Sequence, residues 1–155
     1  MALLILASRK TLWQNRAMLD FHTLPDDHPD LAHSPMLRAA LLTLRYAQEN
    51  GVIGLNKTMA FKRVFVHWAV EYFVCPGKGA EEMFRYSRVI NEYEFPPLEV
   101  LHYLLLTLRL GRHFKGEFRL TKRGSELAQA PAQLFAEVIP IFILTIDHAS
   151  FARFE

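Results

Sequence analysis

The sequence predicts a mainly α fold that carries one small β-hairpin. Apolar residues recur at helical spacing in several segments. Gly and Pro separate those segments. A single stretch, Arg112 to Thr121, places two short β-prone runs around a Lys115-Gly116 turn. The chain has 155 residues, 51% of them hydrophobic and 22% charged, which suits one globular domain and excludes a disordered tail. Twelve Phe, five Tyr and two Trp can fill its core, and one cysteine excludes a disulfide framework.

Residues 20–35 hold three Pro and four Asp with almost no periodicity, and read as an acidic loop. Ser34 followed by Pro35 predicts an N-cap and a first helical residue. Leu37, Leu41, Leu44 and Tyr46 or Ala47 form the inward stripe of that helix, and Asn50-Gly51 ends it. Val52 to Leu55 is short and extended. Thr58 is expected to cap a second helix, whose inward face is Phe61, Phe65, Trp68 and Tyr72. The run Cys75-Pro-Gly-Lys-Gly79 stops that helix. A third is expected over Ala80 to Asn91, with Met83, Phe84 and Val89 or Ile90 inward.

Pro96-Pro97 opens a fourth helix, lined by Leu98, Leu101, Leu105 and Leu108, with Gly111 as its stop. In the hairpin, a two-residue loop would set Phe114 opposite Glu117. A three-residue loop with Gly116 at positive φ would pair Phe114 with Phe118 and His113 with Arg119. The second is expected, because it buries both rings together. Thr121 can cap a short helix to Ala130, and Pro131 begins the last one.

This order describes a winged helix-turn-helix-like domain with a small β-hairpin wing and additional helices. Residues 1–35 are expected to form an N-terminal extension and acidic loop, and 36–155 the winged-helix-like domain with a C-terminal helix. Gly54-Leu-Asn-Lys-Thr-Met-Ala-Phe61 and Gly116-Glu-Phe-Arg-Leu-Thr-Lys-Arg-Gly124 share a Leu-[Asn/Thr]-Lys core at a strand-to-helix junction. Together with Phe95-Pro-Pro-Leu-Glu-Val-Leu101 and the Leu110-Gly111 stop, they resemble the C-terminal domain of the Ri-plasmid open-reading-frame-three-like family, over about residues 36 to 140. The resemblance implies a winged-helix-like fold and a bacterial mobile-element setting, and carries over no catalytic residue.

Charge is segregated. Residues 109–123 hold Arg109, Arg112, Lys115, Arg119, Lys122 and Arg123 against Glu117 alone. Residues 80–100 hold Glu81, Glu82, Glu92, Glu94 and Glu99 against Arg85 and Arg88. A basic wing, joined by Lys57, Lys62 and Arg63, is a candidate footprint for nucleic acid, binding phosphates with little sequence preference. The helix in the reading position, residues 97–110, offers Glu99, His102, Tyr103, Thr107 and Arg109 among many Leu, a poor set for base edges. The competing reading is a protein-interaction module. It would be a homodimer, or a phage or plasmid inhibitor that grips a larger host machine through its apolar face or through Glu81, Glu82, Glu92 and Glu94.

No constellation of residues predicts an enzyme, and neither a metal nor a cofactor is expected. His22, Asp26, Asp27, His28, Asp30 and His33 cluster in a Pro-broken loop without ligand spacing, so a solvated loop is the better reading. Cys75 has no base partner in sequence, and Gly77-Lys78-Gly79 lacks a full phosphate-loop pattern. Asp147, His148 and Ser150 are too close along the chain to converge as a triad. His67 reads as a packed core histidine. The apolar start, Ala2 to Ala7, has no basic residue before it and reads as a core-packed strand or helix turn rather than a secretion signal. The segment 137–151 is broken by Pro140, Asp147 and His148 and is no membrane span. A cytoplasmic location is the expectation.

Overall fold

The computed structural model describes residues 24–151. Ala2 to Ala7 and His22 lie outside the described residues. The described chain is mainly helical, with a three-stranded antiparallel sheet, in the element order the periodicity predicts.

A 3-10 turn, Pro29–His33, leads into α1, Pro35–Asn50. The Ser34 hydroxyl accepts the Leu37 N–H at 3.2 Å, Pro35 loses no bond at the first helical position, and Gly51 ends the helix at φ 78°. Strand β1, Ile53–Gly54, follows. The expected helix from Thr58 does not form there. The Asn56 side-chain oxygen instead accepts from the Thr58 N–H, the Thr58 hydroxyl and the Ala60 N–H at 2.7–3.1 Å. That local competitor holds the backbone in a turn, with Met59 at φ 64°. Phe61 then bridges back to Leu55, so α2 spans Arg63–Tyr72. Its buried face is Phe65, Val66, Ala69 and Val70, whereas Tyr72 is 54% exposed.

Helix α3, Ala80–Tyr86, is shorter than expected and has no fully buried residue. The chain leaves it at Ser87 so that Ile90 can enter the core, where its N–H is donated to His67 Nε2 at 3.1 Å. Val89 stays exposed. A second 3-10 turn, Glu92–Glu94, is capped by Asn91, and α4 runs Pro96–Thr107. Leu98, Leu101, Leu104 and Leu105 are fully buried along α4, which packs against α1. It stops at Arg109, the residue that takes the left-handed conformation (φ 57°), and not at Gly111. Gly111 lies in a strand, where a Cβ would come within 2.0 Å of the Phe118 ring.

Strands β2, Gly111–Phe114, and β3, Glu117–Leu120, close the hairpin, and the sheet order is β1-β3-β2. The register overturns the expected three-residue loop. Lys115 (φ 51°) and Gly116 (φ 74°) form a two-residue turn, with Phe114 opposite Glu117 and His113 opposite Phe118. Two positive φ values match the right-handed strand twist, and that geometry prevails over co-burial of two rings. Only Phe118 is buried.

Helix α5, Lys122–Leu127, is capped by the Thr121 hydroxyl, which accepts the Gly124 N–H at 3.1 Å. Helix α6, Pro131–Leu144, and the short α7, His148–Phe151, complete the described chain. The acidic loop is anchored, not free: Asp26 Oδ1 accepts the Ala132 N–H at 2.9 Å at the start of α6, and Leu31 is buried. No helix among the described residues is long and apolar enough to cross a membrane.

Gly124 gives the sharpest packing test. Ala in place of Gly normally favours a helix by up to about 1 kcal/mol. Here its Cβ would meet the Leu110 carbonyl oxygen at 2.0 Å, against rigid backbone. Gly124→Ala is therefore expected to destabilise by about 3 kcal/mol in denaturant titration. A neutral or stabilising result would refute the close approach.

Candidate nucleic-acid interface

The two-residue turn sorts the hairpin into two faces, because cross-strand partners point to the same side. His113 and Phe118 face the core. Arg112, Phe114, Glu117 and Arg119 share the outer face. Gly54 pairs with Glu117, and the space a Gly54 side chain would take is filled by the Lys62 stem, 2.9 Å from its Cδ. The outer face of the sheet thus gathers Lys62, Arg112, Lys115 and Arg119 around one carboxylate and one ring. Phe114 is 41% exposed. Its ring centroid lies 5.6 Å from the Arg112 guanidinium carbon, 5.3 Å from Lys115 Nζ and 5.3 Å from the Arg119 guanidinium carbon.

The other sequence-predicted cations are less available or lie apart. Arg119 itself is forked onto Glu117 (2.7 and 3.0 Å). Arg123 is engaged by Glu137, Lys122 lies 3.8 Å from Glu126, and Arg63 donates to Asn91 at 3.0 Å. Arg109 is exposed at the α4–β2 connection. Lys57 is exposed in the turn after β1, beside the hairpin tip, where the Leu55 N–H is donated to the Gly116 carbonyl at 2.9 Å. Among the described residues, Lys57, Lys62, Arg109, Arg112 and Lys115 have no carboxylate within 4.0 Å.

Under this face runs a buried polar chain. Glu92 is 5% exposed; its Oε2 accepts the Phe61 N–H, and its Oε1 lies 2.7 Å from His102 Nδ1. His102, also 5% exposed, stacks on Phe61 and meets His113 Nε2 through its own Nε2 at 2.8 Å. With Glu92 accepting, His102 donates from Nδ1; in the neutral ring its Nε2 is then the acceptor, and His113 donates from Nε2. Burial pushes the His113 pKa down, the neighbouring His102 adds to this, and Glu92 opposes it.

This chain corrects the proposed acidic face. Glu92 is interior, and Glu94 caps Asn91 through contacts at 2.8 Å, leaving Glu81 and Glu82 exposed on α3. It also removes His102 from any reading surface, since it faces inward. The network went unread because its members are 10 and 11 residues apart, at no regular spacing. The available signal was a single histidine among the buried leucines of α4.

The candidate catalytic groups are used locally. His148 Nε2 contacts the Phe142 carbonyl at 2.7 Å, while the Ser150 hydroxyl donates to the Asp147 carbonyl at 2.7 Å. Burial pushes the Cys75 thiol up, with Arg38 pulling the other way, which disfavours a reactive thiolate. No group of three or more His, Cys, Asp or Glu side chains among the described residues is arranged so that it could hold a metal ion.

Two measurements test the buried chain. Glu92→Ala leaves the Phe61 N–H and His102 without their acceptor and is expected to cost about 3 kcal/mol by chemical denaturation. Because the folded-state pKa of His113 is depressed, the unfolded chain binds more protons and stability rises with pH. That contribution is complete above about pH 6.5 and is lost as pH falls through the lower folded-state value. His113→Gln is expected to flatten the decline of stability between about pH 7 and 5. An unchanged slope would show that His113 does not titrate in this way.

Comparison with known proteins places the chain. It belongs to the Y4jL N-terminal domain family, whose model matches residues 32–133. It is 35% identical over 135 residues to the uncharacterized protein y4jL of Sinorhizobium fredii (strain NBRC 101917 / NGR234). That alignment covers 87% of this chain and 61% of the relative, so the chain spans about three fifths of the relative's length. No solved structure matches it.

Proposed function

We propose that this Y4jL-family domain is a non-enzymatic, winged-helix-like module that binds nucleic acid through the outer face of its hairpin. The observation that carries the reading is the set of four cations, Lys62, Arg112, Lys115 and Arg119, on one side of one small sheet against Glu117 alone. The winged-helix comparison rests on the order helix, strand, three helices, hairpin, with α3 as the additional helix, and on β1 joining the hairpin through β3. In this domain α4 occupies the reading position, but its Leu98, Leu101, Leu104 and Leu105 are buried and His102 is internal. Affinity therefore comes from phosphate neutralisation by the sheet face, with little base readout. A cytoplasmic, mobile-element setting accords with this reading and with the resemblance to the Ri-plasmid family.

A protein-binding role is the second reading, and one observation favours it. A cavity of about 750 Å³, lined by Met36, Val100, Phe135, Phe142 and Phe151 among others, lies in another part of the fold. Ile143, which also lines it, is 57% exposed. Association through this face would be insensitive to salt and to the hairpin cations.

Fluorescence anisotropy with labelled duplex and single-stranded oligonucleotides separates the two. Binding is expected to weaken with salt, with a log–log slope of roughly −3 on duplex for phosphate contacts by Lys62, Arg112 and Lys115, and shallower on single strands. The double variant Arg112→Glu/Lys115→Glu is expected to abolish it. Lys122→Glu, at a residue already near Glu126, is expected to cost little. No binding to either oligonucleotide at low salt would end the nucleic-acid reading.

A further inference from the structure

We infer that Phe114 is a stacking platform for an unpaired nucleobase, so that the basic sheet face takes single-stranded nucleic acid in preference to duplex. This inference rests on the nucleic-acid reading of the same face and adds the class of ligand. The register turns Phe114 away from the core, opposite Glu117 and next to the Lys115-Gly116 turn. Its ring is 41% exposed, whereas Phe118 on the inner face is fully buried. The ring is therefore outside the hydrophobic core, and leaving it in water forfeits burial energy.

The surroundings of the ring specify what would cover it. Arg112, Lys115 and Arg119 all lie within 5.6 Å of its centroid, so phosphate-binding charge and an aromatic surface occupy one spot. A partner that satisfies both must carry anionic groups and exposed planar rings at short intervals along its chain. Single-stranded nucleic acid does so, and a cationic track with aromatic platforms is the general solution for holding it. Duplex offers the phosphates, but its base faces are covered by neighbouring pairs. An apolar protein partner would meet the ring but leave Arg112 and Lys115 without counter-charges. With Leu98, Leu101, His102, Leu104 and Leu105 buried, α4 keeps few polar side chains for base edges in a duplex groove.

One duplex mode competes: a side chain wedged between base steps of the minor groove, which kinks the helix. The experiment must separate it from single-strand stacking. A fluorescein-labelled oligodeoxythymidine of about 15 nucleotides and a duplex of the same length serve as probes. The probes are titrated with the full chain and with Phe114→Ala, Phe114→Trp and Arg112→Glu. Circular dichroism melts confirm folding, which substitutions at this exposed position should leave intact.

The wild type is expected to bind the single strand more tightly than the duplex. Phe114→Ala is expected to lose roughly tenfold on the single strand, the size of one base–aromatic stack, with the salt slope unchanged because no charge is removed. Phe114→Trp is expected to restore or exceed wild-type affinity, and Arg112→Glu to weaken both probes and reduce the slope. Tighter binding to duplex, or equal loss on both probes in Phe114→Ala, overturns the inference in favour of the wedge and leaves the nucleic-acid reading standing. A Phe114→Ala variant that binds both probes like the wild type overturns both the stacking and the wedge, since phosphate contact alone would then suffice, and leaves the nucleic-acid reading standing. Absence of binding to either probe removes the underlying reading and this one with it.

Discussion

The fold is organised around one buried carboxylate. Glu92 accepts from the Phe61 backbone and pairs with His102, and His102 in turn meets His113. Four pieces of chain with little regular structure in common are joined there: the segment before α2, the 3-10 turn before α4, α4 itself and strand β2. A charge removed from water costs several kcal/mol unless its acceptor sites are filled, so such a network holds only when every member is in place. Leucines would have packed the same space without fixing which segment meets which. The polar chain specifies register: it holds β2 over α4 through a side chain on the inner face of the hairpin, which leaves the alternating residues for the outer face.

That alternation is how packing reaches function. With His113 and Phe118 committed inward, Arg112, Phe114 and Arg119 are committed outward by the period of the strand. The turn enforces the same choice. A slip of one residue would bring the charged side chains over the core and the core residues into solvent. The chemistry of the outer face is thus fixed by the core, even though no residue on it is needed for the core.

The element order was legible because it rests on punctuation and period. Ser34-Pro35, Pro96-Pro97, Thr121 and Pro131 each mark a helix start, and the leucines of α4 are as buried as their spacing implies. What was not legible depended on competition between local and distant partners. Asn56 offers the backbone a turn where Thr58 offered a helix cap, and nothing in the spacing of Phe61, Phe65 and Trp68 reveals which prevails. The hairpin was misread for a related reason. Two Phe in a short repeat suggest co-burial, but the twist of a two-residue turn sets the pairing, and it admits Lys115 at positive φ despite the strain. The basic residues were identifiable as a group, whereas their ion-pair partners were not: Glu137 reaches Arg123 from another helix. The sequence places Glu92 on a surface because carboxylates are seldom interior, and its interior partner lies 10 residues away.

The bond between Asp26 and Ala132 joins residues 106 apart in the chain. Closing so long a loop carries an entropic penalty that only the intervening structure can offset. The acidic segment gains this bond only when α6 is already in place beside it. It acts as a clasp: once it is shut, the first turn of α6 has its missing acceptor. Slow hydrogen exchange at the Ala132 amide would record how long the clasp stays shut.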